Sequence, residues 1–286
     1  MDVLTDEITS FLEGHGFELT RQTRSSFDTI AVRMPDGSHD RFILPLEITS
    51  GSEEEAAETS ERALACIESI RESEGEYPLI ITQDRWHRQR KMMQERLLAH
   101  LEVFSQAYAR NCELRKIDKA TAREFLMENH SYGHAACRHC YGLFLKRYTG
   151  HAAGTLAPGT LVAVATFSNA RKWLKSGKTI SSYEWTRYAS LPDLRLSGGM
   201  GKMLKGFIRD VQPDDIMTYA DLEWSAGDVY RTLGFEPEGT KEAVMFTVTE
   251  DWERIPVRKA EAASERAQLY FRNFGSSKFR LKLTPW

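Results

Sequence analysis

The sequence predicts an α/β protein in which a mixed sheet flanked by helices is preceded by a small αβββαβ domain. Between Cys112 and Thr249, strand-like runs outnumber helical ones and a helix follows each of two strands, the pattern of helices packed on a mixed sheet. Over the first third, the hydrophobic periods run helix, strand, strand, strand, helix, strand. The 286 residues, 41% hydrophobic and 10% aromatic, supply enough apolar material for about two cores.

The elements follow in order. Asp2–Gly16 reads as an amphipathic helix with Val3, Ile8, Phe11 and Leu12 on one face, stopped by Gly14 and Gly16. Phe17–Gln22, Phe27–Met34 and Phe42–Thr49 read as strands, the last two separated by the turn Pro35-Asp36-Gly37-Ser38. Ser52–Ser73 is an acidic helix with Ser52 as its N-cap and Glu53, Glu54 and Glu55 in its first turn. Tyr77–Thr82 is a buried strand, and Asp84–Arg110 is expected to be one long basic helix.

A second unit opens at Cys112. Its expected strands are Cys112–Ile117, Tyr141–Arg147, Leu161–Ser168, Tyr183–Ser190, Asp215–Asp221 and, last, Glu242–Thr249. Its expected helices are Thr121–Asn129, Lys202–Val211 and Gly227–Leu233. From Arg254 onward, eight Lys or Arg against two Glu give a local net charge of +6, interleaved with Tyr270, Phe271, Phe274, Phe279 and Trp286. Those residues suit packing on a domain as well as stacking and phosphate contact on a nucleic acid, and both readings stay open. The expected domains are therefore 1–109, 110–250 and a basic aromatic extension over 251–286.

The net charge of −3 excludes a global field for nucleic acid or membrane. Four cysteines are too few for a disulfide scaffold. The acidic start lacks the apolar stretch of a secretory signal, and no run of 18 apolar residues spans a membrane, so a cytoplasmic location is expected.

The strongest local motif is Leu196-Ser197-Gly198-Gly199-Met200-Gly201-Lys202, between a strand and a helix. A helix N-terminus offers free N–H groups and a positive dipole end, and glycines let a phosphate approach the backbone. The same residues also make a tight connection without a ligand. About thirty residues on stands Gly227-Asp228-Val229-Tyr230-Arg231-Thr232-Leu233-Gly234-Phe235.

Together these motifs resemble the GNAT superfamily of N-acyltransferases over about half the chain. The resemblance implies a GNAT-type sheet and acetyl-CoA as co-substrate, its diphosphate held by Ser197, Gly198, Gly199, Met200, Gly201 and Lys202. It implies Tyr230 as the acid that protonates the leaving thiolate, against the alternative that Tyr230 only packs on Phe235. The family opens its turn with Gln or Arg; Leu196 stands there, with Arg195 beside it. Glu184 and Asp221, near the ends of their strands, are candidate bases for the amine or structural ion partners. Arg187 needs an anionic partner, and Asp221 is the expected one, either facing substrate or bracing the sheet.

Tyr183-Glu184-Trp185-Thr186-Arg187-Tyr188 and Thr218-Tyr219-Ala220-Asp221 look like a phage-type GNAT branch distantly similar to Mom-type DNA-modification enzymes. The segment around Cys112 is similar to a junction in phage homing endonucleases. That likeness implies a degenerate restriction-endonuclease-like domain in the N-terminal third, with Asp28 and Glu47 as its carboxylates and Thr49 where a lysine would stand. His130, His134, Cys137, His139 and Cys140 crowd one loop, but a second Cys-x-x-Cys is missing, so no metal site is expected.

The expected function is transfer of an acyl group from acyl-CoA to an amine on a small molecule or macromolecule. The alternatives are a protein acting on DNA, by base modification or by binding through the degenerate nuclease-like domain, and a binding module without catalysis. A nucleic-acid partner stays open, and no membrane partner is expected.

Overall fold

A computed structural model describes residues 3–37, 39–151, 154–175, 177–257 and 269–285. The chain divides into two compact units, each assembled from separate stretches of sequence. The first takes Met1–Leu101, Ala220–Ala226 and Thr240–Ser277; the second takes Glu102–Tyr219, Gly227–Gly239 and Lys278–Trp286.

The first unit begins with α1 (Val3–Gly14), β1 (Leu19–Arg24), β2 (Phe27–Arg33), β3 (Asp40–Leu46), α2 (Glu53–Glu74), β4 (Leu79–Thr82), α3 (Gln83–Arg88) and α4 (Arg90–His100). Its sheet runs β1-β2-β3-β4, antiparallel except for the β3–β4 pair. Alternation along the strands sends Ile30, Val32 and Ile43 to the face covered by Leu4, Ile8, Leu12, Trp86 and Leu97. Ala31, Phe42 and Leu44 go to the other face, under Ala63, Ile67 and Ile70 of α2. The Ser52 side chain caps α2 by accepting from Glu55 N, and Gly75, at φ 73°, ends it.

The expected single helix over 84–110 is corrected. It breaks at Gln89 and ends at Leu101, and Glu102 follows in the left-handed region at φ 63°. Ser105–Tyr108 then forms a strand, β5.

The second unit continues with a 3₁₀ turn (Ala109–Asn111), β6 (Cys112–Lys116), α5 (Lys119–Asn129), β7 (His139–Leu145), β8 (Thr149–His151), β9 (Gly154–Leu156), β10 (Leu161–Phe167), β11 (Arg171–Lys175), β12 (Lys178–Ser190), β13 (Leu194–Ser197), α6 (Gly199–Val211), β14 (Asp215–Asp221), α7 (Asp228–Thr232) and β15 (Glu236–Lys241). After β16 (Met245–Val248), β17 (Arg254–Pro256) and β18 (Leu269–Arg272) comes β19 (Ser276–Lys282).

The large sheet runs β15-β19-β14-β12-β10-β7-β6, with β11 paired to the first half of β12. It is a mixed sheet: β6, β7, β10 and β12 are antiparallel neighbours, while β12 and β14 are parallel. Helix α6 lays Met203, Leu204 and Phe207 on this sheet, with the Phe207 ring stacked on Phe167 at 3.9 Å between centroids. A Cβ on Gly206 would lie 2.1 Å from Leu114 Cδ2, so glycine sets how close the helix comes to β6.

Two expectations for the C-terminal third are corrected. The run over 242–249 contributes β16, which lies in a separate three-stranded sheet, β17-β16-β18, and not in the large one. The stretch over 251–286 is not one extension, because β19 is an interior strand of the large sheet between β15 and β14. Its charges are absorbed by neighbouring strands: Arg280 pairs with buried Asp215 at 2.8 Å and with Glu238 at 2.5 Å, and Lys278 pairs with Glu238 at 2.7 Å. Tyr270, Phe271 and Phe274 fall in the first unit, and Phe279 in the second is fully buried. Trp286 and residues 258–268 lie outside the described residues. Among the described residues, no helix is long and apolar enough to cross a membrane.

Candidate active site

The glycine turn opens α6 as expected. β13 pairs in parallel with β5, from Leu194↔Ser105 to Ser197↔Tyr108, and so fixes the approach to the turn. Gly198 adopts φ 75° at the N-cap, a conformation that favours glycine. At Gly199, a Cβ would meet the Tyr188 hydroxyl at 2.8 Å and Leu196 Cδ2 at 3.0 Å. No side chain caps the helix, and its first intrahelical bond runs from Lys202 N to Gly198 O at 3.0 Å. The amides of Gly199, Met200 and Gly201 therefore have no acceptor within the helix and stand at its positive dipole end. Ser197 and Gly198 are exposed beside them.

Lys202, one of the residues expected at the diphosphate, also has partners within the chain. Its Nζ donates to Ala109 O at 2.9 Å and Cys112 O at 2.6 Å, so the ammonium ties the helix to the start of β6. Gln106 was not singled out in the sequence. Its Nε2 donates to Ser197 Oγ at 2.7 Å and to Arg195 O at 3.3 Å, pinning the turn from the neighbouring strand. Only the β5–β13 pairing brings it there, and the expectation of a helix over 84–110 hid that pairing.

The second feature is a fork. The β12–β14 register runs only from Ser182↔Asp215 to Glu184↔Met217, although both strands continue beyond it. Just past the last pair, Thr218 Oγ1 donates to Trp185 O at 3.2 Å. On its other edge, β12 bulges: Thr166 faces Arg187 while Phe167 faces Trp185, leaving Thr186 as the extra residue. A bulge takes a residue's main-chain groups out of the ladder and re-aims the side chains around it.

Tyr230 stands at this fork. Gly234, at φ 88°, turns the chain sharply after the short helix α7, and Phe235 N donates to Tyr230 O at 2.9 Å. The Tyr230 ring packs against Trp185, Phe235 and Phe279, with centroids 6.2, 5.7 and 5.6 Å away. Burial raises the pKa of its phenol, and a hydrogen bond with the Thr218 side chain pulls the other way. It stays protonated throughout the neutral range.

Arg187 and Glu184 both line a cleft of about 800 Å³ bounded by α5, the loop that follows it, β10 and β12. Arg187 donates from Nε to Gly133 O at 3.2 Å and from Nη1 to Thr186 O at 2.8 Å. Burial lowers its pKa, while Glu184, Tyr132 and Tyr230 support its charge. The expected Arg187–Asp221 pair is therefore corrected: the guanidinium is held by main-chain carbonyls. Asp221 belongs to the first unit, where its Oδ1 accepts from Glu223 N at 2.9 Å and its Oδ2 lies 3.9 Å from Arg85 Nη2. The β14 strand delivers Asp221 into a buried charge network of Arg85, Glu223, Arg254 and Asp84, which fits the structural reading of this carboxylate.

Among the described residues, no group of three or more His, Cys, Asp or Glu gathers to hold a metal ion. Cys137 and Cys140 lie with their sulfurs 3.5 Å apart, and burial pushes the Cys140 thiol up to about 12. In the first unit, Glu47 Oε1 accepts from Leu4 N at 3.2 Å, and Asp28 Oδ1 accepts from Thr23 Oγ1 at 3.2 Å.

No family model and no curated protein sequence matches the chain. Solved structures with similar folded regions include Eis1 from Mycobacterium abscessus, at 15% identity and TM-score 0.33. That match covers 47% of this chain, and the chain spans only 33% of the length of Eis1. An N-acetyltransferase from Staphylococcus aureus Mu50 matches at 11% identity over 60% of this chain and 97% of its own, with TM-score 0.33. The Salmonella typhimurium structure of yncA, a putative acetyltransferase with its cofactor acetyl-CoA, matches at 13% identity over 62% and 96%, with TM-score 0.33.

Proposed function

We propose that the second unit is a GNAT-type N-acyltransferase that moves an acetyl group from acetyl-CoA to an amine. The observation that carries this reading is the fork: a parallel pair that stops after Glu184 and Met217, with uncapped helix amides following β12 and a buried phenol following β14. The residues around Gly199 fit a diphosphate, because the amides that the helix leaves without an acceptor are the donors such a group needs, beside the exposed Ser197 and Gly198.

Bound acetyl-CoA supplies an activated acyl group. The amides of Gly199, Met200 and Gly201 bind its diphosphate, with the exposed Ser197 and Gly198 alongside. Glu184, which lines the cleft and has no side-chain hydrogen bond among the described residues, takes the proton from the incoming amine. The main chain released by the bulge at Thr186 is suited to polarise the carbonyl under attack. The Tyr230 phenol holds the proton that the departing thiolate needs. Removal of Glu184 and of Tyr230 should therefore act on opposite ends of the same transfer.

Acetyl-CoA should raise the melting temperature, since a ligand that binds only the native state stabilises it. A crystal soaked with acetyl-CoA should show diphosphate density at Gly199–Gly201. A melting curve indifferent to acetyl-CoA, with no density at the turn, would rule this reading out.

A further inference from the structure

The cleft beside Glu184 carries more positive charge than a plain amine would tolerate. Lys119 and Arg123 stand on α5 four residues apart, which places them on one helix face. Arg171, which opens β11, and Arg187 of β12 line the same cleft. Among the described residues, the side chains of Lys119, Arg123 and Arg171 have no ion pair and no hydrogen bond. Arg187 has spent Nε and Nη1 on carbonyls, and its Nη2 donors have no partner there. Against these four cations, the lining offers one carboxylate, Glu184.

An amine acceptor arrives in water as a cation. Approaching three unpaired cations and Arg187 repels it unless it brings its own negative charge. A cleft of this volume lies in the range that holds a small molecule. Low-dielectric walls strengthen both the repulsion of a bare cation and the attraction of an anion.

We infer that the acceptor is a small molecule whose amine lies a few bonds from a phosphate or carboxylate. Lys119, Arg123 and Arg171 bind the anionic group, and Glu184 receives the ammonium. This inference rests on the transferase reading for its reaction, but the charge pattern of the cleft can be tested without turnover. Recognition is dipolar: the cluster selects the anion and fixes which end of the acceptor faces the fork.

The test is calorimetric titration of the full chain with 2-aminoethyl phosphate, β-alanine, ethanolamine, putrescine and a single-stranded oligonucleotide, with acetyl-CoA titrated separately. Either anionic amine should bind at least about tenfold more tightly than ethanolamine or putrescine, and the better of the two identifies phosphate or carboxylate as the partner. The exposed double variant Lys119→Glu/Arg123→Glu should abolish that preference while leaving acetyl-CoA binding unchanged, and Arg171→Glu should weaken it independently. Failure of both anionic amines to bind, equal binding by ethanolamine or putrescine, a preference that survives the charge reversals, or tighter binding of the oligonucleotide than of either small anion would each overturn the inference. Acetyl-CoA binding in the same series judges the transferase reading by itself.

Discussion

Arg187 donates through Nε to the main-chain oxygen of Gly133 at 3.2 Å, fastening the loop after α5 to the bulged segment of β12. The same side chain also reaches Thr186 O. Two carbonyls that would otherwise face a partly buried wall are thereby satisfied by one charged, planar donor. Arg187→Lys keeps the charge but cannot offer both donors in the same plane. The expected result is a loss of roughly 1–3 kcal/mol in urea unfolding for Arg187→Ala and a smaller loss for Lys. The KM for the amine should rise more than the KM for acetyl-CoA.

Tyr230 is protonated because it is buried, and its neighbours Trp185, Phe235 and Phe279 keep it so. Tyr230→Phe preserves these ring contacts and removes only the hydroxyl. kcat should fall by roughly 10²–10⁴-fold with acetyl-CoA affinity nearly unchanged. The sign of the pH dependence follows from the raised pKa: the acid form is lost only on the alkaline side of an ordinary tyrosine. The wild-type pH–rate profile should therefore show no alkaline decline assignable to this group below about pH 10. A variant with wild-type kcat would remove Tyr230 from the mechanism.

Lys202 and Gly199 sit three residues apart but should fail differently. Lys202→Met takes the ammonium away from the Cys112 carbonyl and leaves the Ala109 carbonyl with the Cys112 N–H, so it should destabilise the fold by about 1–3 kcal/mol and leave the acetyl-CoA Kd of the folded fraction close to wild type. Gly199→Val pushes side-chain atoms against Tyr188 and Leu196 where even a Cβ is crowded. It should weaken acetyl-CoA binding by about tenfold or more, measured by calorimetry below the melting transition. If Lys202→Met weakened binding and Gly199→Val did not, the turn would have been read backwards.

Local patterns made much of this molecule legible. The apolar runs over Phe27–Met34 and Phe42–Thr49 marked two strands of the first sheet, and Ser52 and the Gly198–Gly201 run marked where helices start. Tyr230 and Gly234 were singled out by the spacing that resembles the GNAT superfamily, and they fall on a short helix and the left-handed glycine that follows it. The rest depends on pairing between distant stretches. β5 looks helical until Leu194–Ser197 lies beside it, and β19 looks like a basic tail until Glu238 and Asp215 receive its charges. Asp221 looked like a partner for Arg187 because its strand ends near the fork, but the chain beyond Tyr219 enters the other unit and its own ion network.

That ion network supplies a stability test. Glu223 is almost completely buried, yet its carboxyl is held down at about 2, because Arg254 and Arg85 more than offset the burial that alone would raise it. Arg254 Nη1 reaches both Glu223 oxygens, at 2.7 and 3.0 Å, while its Nε and Nη2 hold Asp84. Glu223→Gln removes one anion and leaves the three buried guanidiniums of Arg85, Arg96 and Arg254 sharing the charge of Asp84 and Asp221, a loss expected to cost about 3–5 kcal/mol. Replacing Arg254 with Met should cost a similar amount, since Asp84 loses its guanidinium partner and Glu223 keeps only Arg85.

The acid limb follows from Glu238 on the other sheet. The Arg280 hydrogen bond, opposed by burial and aided by Lys278, holds its carboxyl at about 2, below its ordinary value of 4.5. A carboxyl depressed on folding contributes stability that is fully present above its unfolded pKa and lost as pH falls toward the folded one. The melting temperature of the wild type should therefore decline as pH drops from about 4.5 to about 2. In Glu238→Gln the neutral-pH melting temperature should be lower and the decline over that interval shallower, because the Lys278 and Arg280 partner no longer titrates. Equal slopes in the two proteins would place β19 outside the large sheet in solution, and with it the burial of Phe279 that backs the Tyr230 ring.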